Sequence, residues 1–177
     1  MTYQSTLLGW HDFYTIAGAA SASLVGLLFV GLSLHLRIVV TRPEVKSLAR
    51  VTLTGYTVTL VMALFMVIPS GNDPTSTGWD LVGLGGVGLL LVARNVASGV
   101  RSEFRTLDFR RLLLRFGLAV IAVLAVIAIG GLLLAGDYQH GFGFLAGVAI
   151  FLLLTSLRNS WDLLVSVGAA IQAPARS

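Results

Sequence analysis

The sequence predicts an all-α fold: a polytopic transmembrane helix bundle of five spans, with the N-terminus out and the C-terminus in. Three observations carry this. Only 11% of the residues are charged, 56% are hydrophobic, and the mean hydropathy is +0.89. A soluble domain carries about 25% charged residues, so this chain has too few to clothe a water-facing surface. Four stretches contain no Asp, Glu, Lys or Arg, namely 13–36, 51–72, 116–136 and 138–157. Each reaches the ~20 apolar residues needed to cross a ~30 Å hydrocarbon core. The third observation is charge sign, which five crossings sort completely onto two sides.

The first span is expected over about 13–36. No basic residue precedes it, and it is far longer than the apolar core of a cleaved signal peptide, so it reads as a retained span. Gly18, Ala22 and Gly26 recur at i, i+4 and i+8, a small-residue face that lets another helix approach closely in lipid. That face suits packing within the protomer or between protomers. His35 falls one turn from the inner end, beside Ser33 and Arg37. It reads as an interfacial histidine, with a proton-relay role as the alternative.

The second span is expected over about 51–69. "TRPE" at 41–44 reads as a capping box, with Thr41 as cap, Glu44 reaching back and Pro43 in the first turn. Thr52, Tyr56 and Thr59 share one helical face. Hydroxyls so placed would line a water-filled path, or bond back to their own backbone carbonyls, the commoner arrangement for threonine in spans. "SGNDPTSTG" at 70–78 then reads as a turn-rich outer loop.

The third span, about 81–100, is the shortest in charge-free length, because Arg94 interrupts it. A run that short also suits a re-entrant segment. Positive charge decides against that, since a re-entrant third segment would strand six arginines (94, 101, 105, 110, 111 and 115) on the outer side. With five crossings, every Lys and Arg falls on one side, in 37–50, 94–115 and the C-terminal segment. The other side receives Asp12, Asp73, Asp80 and Asp137. Lys and Arg in short loops mark the cytoplasmic face. "GLGGVG" at 83–88 lacks the preceding strand and acidic residue of a dinucleotide fingerprint, and helix packing explains it better.

Residues 101–115 read as a helical overhang leading into the fourth span, about 116–135. The fifth span covers about 141–166, and residues 1–177 form a single integral membrane domain. Trp10, Tyr14, Trp79 and Tyr138 fall at the outer boundary and Trp161 at the inner one, as an aromatic belt requires.

Polar residues inside the spans are the functional candidates. "LLLVARNVASGV" at 89–100 and "LLLTSLRNSWDLLVSV" at 152–167 each set an Arg-Asn pair in an apolar run. The third and fifth spans run in one direction, so Arg94, Asn95, Arg158, Asn159 and Asp162 are candidates for a polar cluster at similar depth. One reading is an ion or substrate path, because ionisable residues within spans are functional candidates by default. The other is that both arginines snorkel to the inner boundary while Asp162, four residues after Arg158, neutralises one of them. Position near the span ends favours anchoring; the asparagines favour the path, because snorkelling has no use for them.

Composition excludes other chemistry. Without cysteine there is no disulfide, iron–sulfur cluster or thiolate zinc site. His11, Asp12, Asp73, Asp80, Asp137 and His140 come from three separate loops without ligand spacing, so no metal and no cofactor are expected. No HExxH, G-x-S-x-G, histidine box or P-loop occurs, and an enzyme is not expected. The high pI of about 10.1 comes from basic residues in short connections rather than from a nucleic-acid-binding patch.

"WHDF" at 10–13, the small-residue string after it, "GLLFVGLSLHLR" at 26–37 and "NSWDLLV" at 159–165 resemble a group of small bacterial integral membrane proteins, some labelled modulators of FtsH protease. The resemblance implies a multi-pass protein of the bacterial inner (plasma) membrane and supplies no catalytic residues. Two functions follow as expectations. One is a non-enzymatic scaffold or accessory protein that self-associates or packs against partner membrane proteins. The alternative is an oligomeric ion channel or small-solute transporter using the inner Arg/Asn/Asp cluster. The lipid bilayer is the expected common partner, and nucleic acid is not.

Overall fold

Hydrocarbon offers backbone N–H and C=O groups no partner but one another, so a chain this apolar is driven into uninterrupted helices. The computed structural model describes the backbone of residues 3–68, 74–103 and 109–172, with the side chains of all but 43–44, 74, 95–103, 109–116 and 169–172. Among the described residues there are six helices and no strand: α1 (Tyr3–Leu34), α2 (Leu36–Thr41), α3 (Pro43–Val67), α4 (Pro74–Glu103), α5 (Phe109–Leu134) and α6 (Tyr138–Gln172). Five contain a segment long and apolar enough to cross a membrane: Tyr3–Leu34, Val45–Val67, Thr75–Arg94, Gly117–Leu134 and Tyr138–Gly168.

Every long helix starts before its expected span, because hydropathy marks the hydrocarbon boundary and not the helix end. α4 and α6 also run past the end of theirs, while α1, α3 and α5 stop one or two residues short. α1 begins ten residues before the expected span, and Tyr3 and Thr6 in that extension are buried. It stops at His35, whose φ of −123° and ψ of 28° break the helix; His35 is thus the joint between α1 and α2 rather than part of the span. Thr41 is not the cap of α3, and the Glu44 side chain of the expected capping box lies outside the described residues. Thr41 lies inside α2, its hydroxyl donating to the Arg37 carbonyl at 2.8 Å. Arg42 is the N-cap of α3 without a side-chain capping bond, followed by Pro43 at the first position. A fixed φ and no N–H to satisfy suit proline there, and they override the weaker capping signal. Residues 74–78, expected as loop, are the first turn of α4, again opened by a proline; positions 70–73 lie outside the described residues. Helical backbone covers 101–103 and 109–115 of the expected overhang.

The α5–α6 turn is set by one glycine. Gly136 has φ +88°, a region that strains any residue with a Cβ. The Asp137 N–H donates to Leu132 O and the Gly136 N–H to Leu133 O, both at 3.1 Å. These are the two bonds of a Schellman cap. Asp137 then caps α6, accepting the His140 N–H at 3.4 Å.

α3, α4, α5 and α6 stand as a ring in which each packs on the next, α4 against α5 most extensively. α1 lies in the outer crease between α3 and α6. The core has two parts. One, around Tyr14, Met62, Met66, Leu81, Phe142 and Leu145, joins the long helices. The other, around Val39, Leu48, Tyr56 and Leu163, closes the end where α2 turns. The Tyr3 hydroxyl lies 2.7 Å from Thr77 Oγ1, and the Tyr3 ring meets those of Tyr138 and Phe142 at 5.3 and 5.7 Å. The N-terminal ends of α1, α4 and α6 therefore share one end of the bundle, and the basic segments after α1 and at the end of α4 lie at the other.

Tyr14 does not belong to the aromatic belt. It is wholly buried, and its hydroxyl donates to Phe142 O at 2.9 Å, because a phenol near the helix middle must find a partner inside the protein. Trp79 and Trp161 are exposed, as belt residues are.

Candidate functional site

The hydroxyl face of α3 is enclosed within the bundle. Thr52, Tyr56 and Thr59 are at most 1% exposed. Thr52 donates to Leu48 O at 2.8 Å and Thr59 to Gly55 O at 3.0 Å, the back-bonding that satisfies a hydroxyl without water. Tyr56 is a node. Its carbonyl accepts the Ser21 hydroxyl of α1 at 2.6 Å, and its phenol lies 3.2 Å from Ser160 Oγ of α6. Ser160 gives its proton to Ser156 O at 3.0 Å, which leaves Tyr56 as donor to Ser160. Beside it, a Cβ on Gly55 would collide with the Ser156 hydroxyl as it is placed and lie 3.9 Å from Leu152 O. α3 and α6 therefore pack closely there, and an alanine would have to turn that hydroxyl aside.

Ser21, Ser156 and Ser160 were not among the sequence candidates. Ser156 and Ser160 are four residues apart, so the same periodicity that picked out Arg158 and Asp162 would have picked them out. Nothing local distinguishes Ser21 from the neighbouring Ser23, which faces outward and bonds back to Ala19 O at 2.9 Å.

The small-residue face divides. Gly18 is buried, and a Cβ on it would lie 3.1 Å from Ala63 Cβ of α3. Ala22 and Gly26 are exposed, and nothing lies within 4 Å of a Cβ on Gly26. The inward face of α1 instead runs through Tyr14, Ala17, Gly18, Ser21 and Leu28. Of the glycine run 83–88, Gly85 and Gly88 meet Ile127 and Val123 of α5, while Gly83 and Gly86 face open space.

Arg94 and Arg158 each lie about 20 residues, and so ~30 Å, from the start of their helices. Those helix starts share one end of the bundle, so both arginines come at similar depth near the other. They do not come together, because α4 and α6 occupy opposite corners of the helix ring. Arg94, Arg158 and Asp162 are exposed, and Asn159 is half-buried. The Asn95 side chain lies outside the described residues. Arg158 and Asn159 line a crevice of about 50 Å³ with Val51, Gly55, Leu118 and Ser156. Asp162 and Arg158 are not within ion-pair distance; the ion pairs among the described residues are His11–Asp12 at 3.5 Å and His140–Asp137 at 2.9 Å. With the cation N-terminal to the anion, the pair has the less favourable helical order.

Two further hollows open on the surface. A cleft of about 130 Å³ between α1 and α6 is lined by leucines, with Tyr56, Ser160 and His35 as its polar atoms. A groove of about 790 Å³ runs between α3 and α4 from Arg50 to Trp79 and Asp80. At the α5–α6 turn, the His140 imidazole beside Asp137 holds that carboxyl below its ordinary value, chiefly through the side-chain hydrogen bond. No group of three His, Asp or Glu capable of sharing a metal occurs among the described residues. Chemically, the arrangement ties α1, α3 and α6 together through hydroxyls and carbonyls, while its charged groups face outward. No protein-family model, curated protein or solved structure matches this chain.

Proposed function

We propose that this chain is a five-span protein of the bacterial plasma membrane, N-terminus outside and C-terminus in the cytoplasm. It acts as a scaffold or accessory subunit through lateral contact with copies of itself or with partner membrane proteins. The observation that carries this reading is how the polar groups are used. The hydroxyls of Ser21, Thr52, Tyr56, Thr59 and Ser160 all bond within the bundle, and Arg94, Arg158 and Asp162 face outward. A conducting path through one protomer needs polar groups that are both interior and open to an ion. α1 supports the lateral role. Less of its apolar segment is buried than in any of the other four, leaving Ala22, Gly26, Leu27 and Val30 on an outward face of small and aliphatic residues suited to helix association in lipid.

The experiment is mass determination of the full chain in mild detergent, with Ala22→Leu and Gly26→Leu variants, followed by flux assays in liposomes. An oligomer or a co-purifying membrane partner that both variants weaken supports the scaffold. Ion flux abolished by Arg94→Leu and Arg158→Leu would overturn it in favour of a channel formed between protomers. A C-terminal phosphatase fusion should be inactive and a fluorescent-protein fusion bright; the reverse would overturn the orientation.

A further inference from the structure

The groove between α3 and α4 is the largest hollow described on the molecule, and it carries charge at its two ends in opposite senses. Its α3 wall is one helical face, Arg50, Thr54, Thr57, Val61 and Phe65; its α4 wall includes Gly83, Val87 and Leu91. Gly83 lies against open space, so the floor is shallow in side chains and the hollow deep. Arg50 to Phe65 rises ~22 Å and Asp80 to Leu91 ~16 Å at 1.5 Å per residue. Either length accommodates the hydrocarbon of one leaflet, ~15 Å or half of a ~30 Å core. Arg50 is exposed at the basic end, and Arg94, also exposed, lies one turn beyond Leu91 on α4. Asp80 and Trp79 close the other end.

Thr57 lies on the same wall of the groove. Thr54 gives its hydroxyl to Arg50 O at 2.9 Å, but no hydrogen bond among the described residues reaches the hydroxyl of Thr57. A polar group facing hydrocarbon without a partner costs free energy, and this one sits two turns deeper than Arg50 on the same face. The ester carbonyls of a lipid lie only a few bonds from its phosphate. With the phosphate at Arg50, Thr57, ~10 Å along the helix, borders the acyl chain and not the ester region.

We propose that the α3/α4 groove is a binding site for an anionic phospholipid. Its phosphate is held at Arg50, and an acyl chain follows Thr57, Val61 and Phe65 towards Trp79. Basic pockets between membrane helices recognise anionic headgroups in this way. The carboxylate of Asp80 repels a phosphate from the far end and so sets the lipid's direction. The site rests on α3 and α4 crossing the bilayer; failure of that premise would show in the reporter fusions, which need no lipid.

The test uses the full-length chain from vesicles of equal phosphatidylglycerol and phosphatidylethanolamine, extracted into mild detergent and weighed by native mass spectrometry. One phosphatidylglycerol per chain should survive extraction. Arg50→Gln should lower its retention about five-fold, the factor equivalent to ~1 kcal/mol for one cation at a membrane surface. Gly83→Leu, whose Cβ would meet nothing within 4 Å, puts a side chain into the groove and should lower retention of either lipid. Equal retention of the two lipids by the unaltered chain would overturn the proposal, as would retention of phosphatidylglycerol that Arg50→Gln leaves unchanged. So would efficient disulfide cross-linking of Gly83→Cys between copies in the same vesicles, because a second protein would then cover the groove. If Gly83→Leu fails to fold, the exposed Arg50→Gln variant still decides.

Discussion

Replacing Gly130 with alanine should force α4 and α5 apart, while the same change at the adjacent Gly131 should not. A Cβ on Gly130 would lie 2.9 Å from Gly78 O, 2.9 Å from Val82 Cγ2 and 3.1 Å from Val82 N; one on Gly131 would meet nothing within 4 Å. Two of the three obstructing atoms belong to the α4 backbone, so rotation of a side chain cannot relieve the clash. Comfortable contact is about 3.5–4.0 Å, so the helices must separate by roughly half an ångström along the most extensive interface of the bundle. Overpacking of this kind costs about 1–3 kcal/mol. Both variants gain the ~0.5–1 kcal/mol of helix propensity that alanine has over glycine, and the difference between them cancels it. Reversible unfolding in mixed micelles, followed by circular dichroism, should therefore place Gly130→Ala about 1–3 kcal/mol below Gly131→Ala. Two variants equal within about 0.5 kcal/mol would refute the described close approach of α4 and α5.

Tyr14→Phe keeps the ring in the core and removes the bond to Phe142 O. It should lower stability by about 0.6 kcal/mol, with ~1.7 as the ceiling seen for hydrogen bonds in membrane bundles, whereas Tyr14→Ala should cost about 3–5 kcal/mol through the cavity. Equal losses would show that the ring is not packed. The Asp137 carboxyl, held below its ordinary value of 3.8 by His140, stabilises the start of α6 fully above the unfolded value and loses that effect as pH falls through the lower folded one. Hydrogen exchange at 138–141, corrected for intrinsic rates, should be constant from neutral pH to about 4 and accelerate below it. Asp137→Ala should exchange fast throughout, and a wild-type profile flat to pH 2 would remove the cap from the account.

Much of the architecture is visible in one dimension. A bilayer sorts residues by depth, and depth varies along the chain, so hydropathy and charge sign reveal five crossings and their alternation. The Tyr3–Thr77 bond and the Tyr3–Tyr138 ring contact gather at one end the segments that charge had already grouped. Exact helix ends were less visible. The prolines at 43 and 74 stand at helix starts whatever the hydropathy does, and Thr41, a plausible cap by its spacing, spends its hydroxyl inside α2.

The candidate site was legible only in residue type. Hydroxyls on α3 were expected and are there, but nothing along the chain says that Ser21 faces Tyr56 while Ala22 and Gly26 face away. Likewise, Arg94 and Arg158 reach similar depth, as their places in the chain require, yet stand on opposite corners of the helix ring. In water, the buried face of a helix announces itself by being apolar. In lipid, the outer face is as apolar as the inner one, so periodicity carries little information about rotation or neighbours. Class, number of crossings and charge asymmetry follow from transfer between water and hydrocarbon, which each segment undergoes by itself. Which helices touch, and which hydroxyls find carbonyls, depends on shape at contacts such as Gly55 on Ser156 and Gly78 on Gly130, and those exist only once the bundle is assembled.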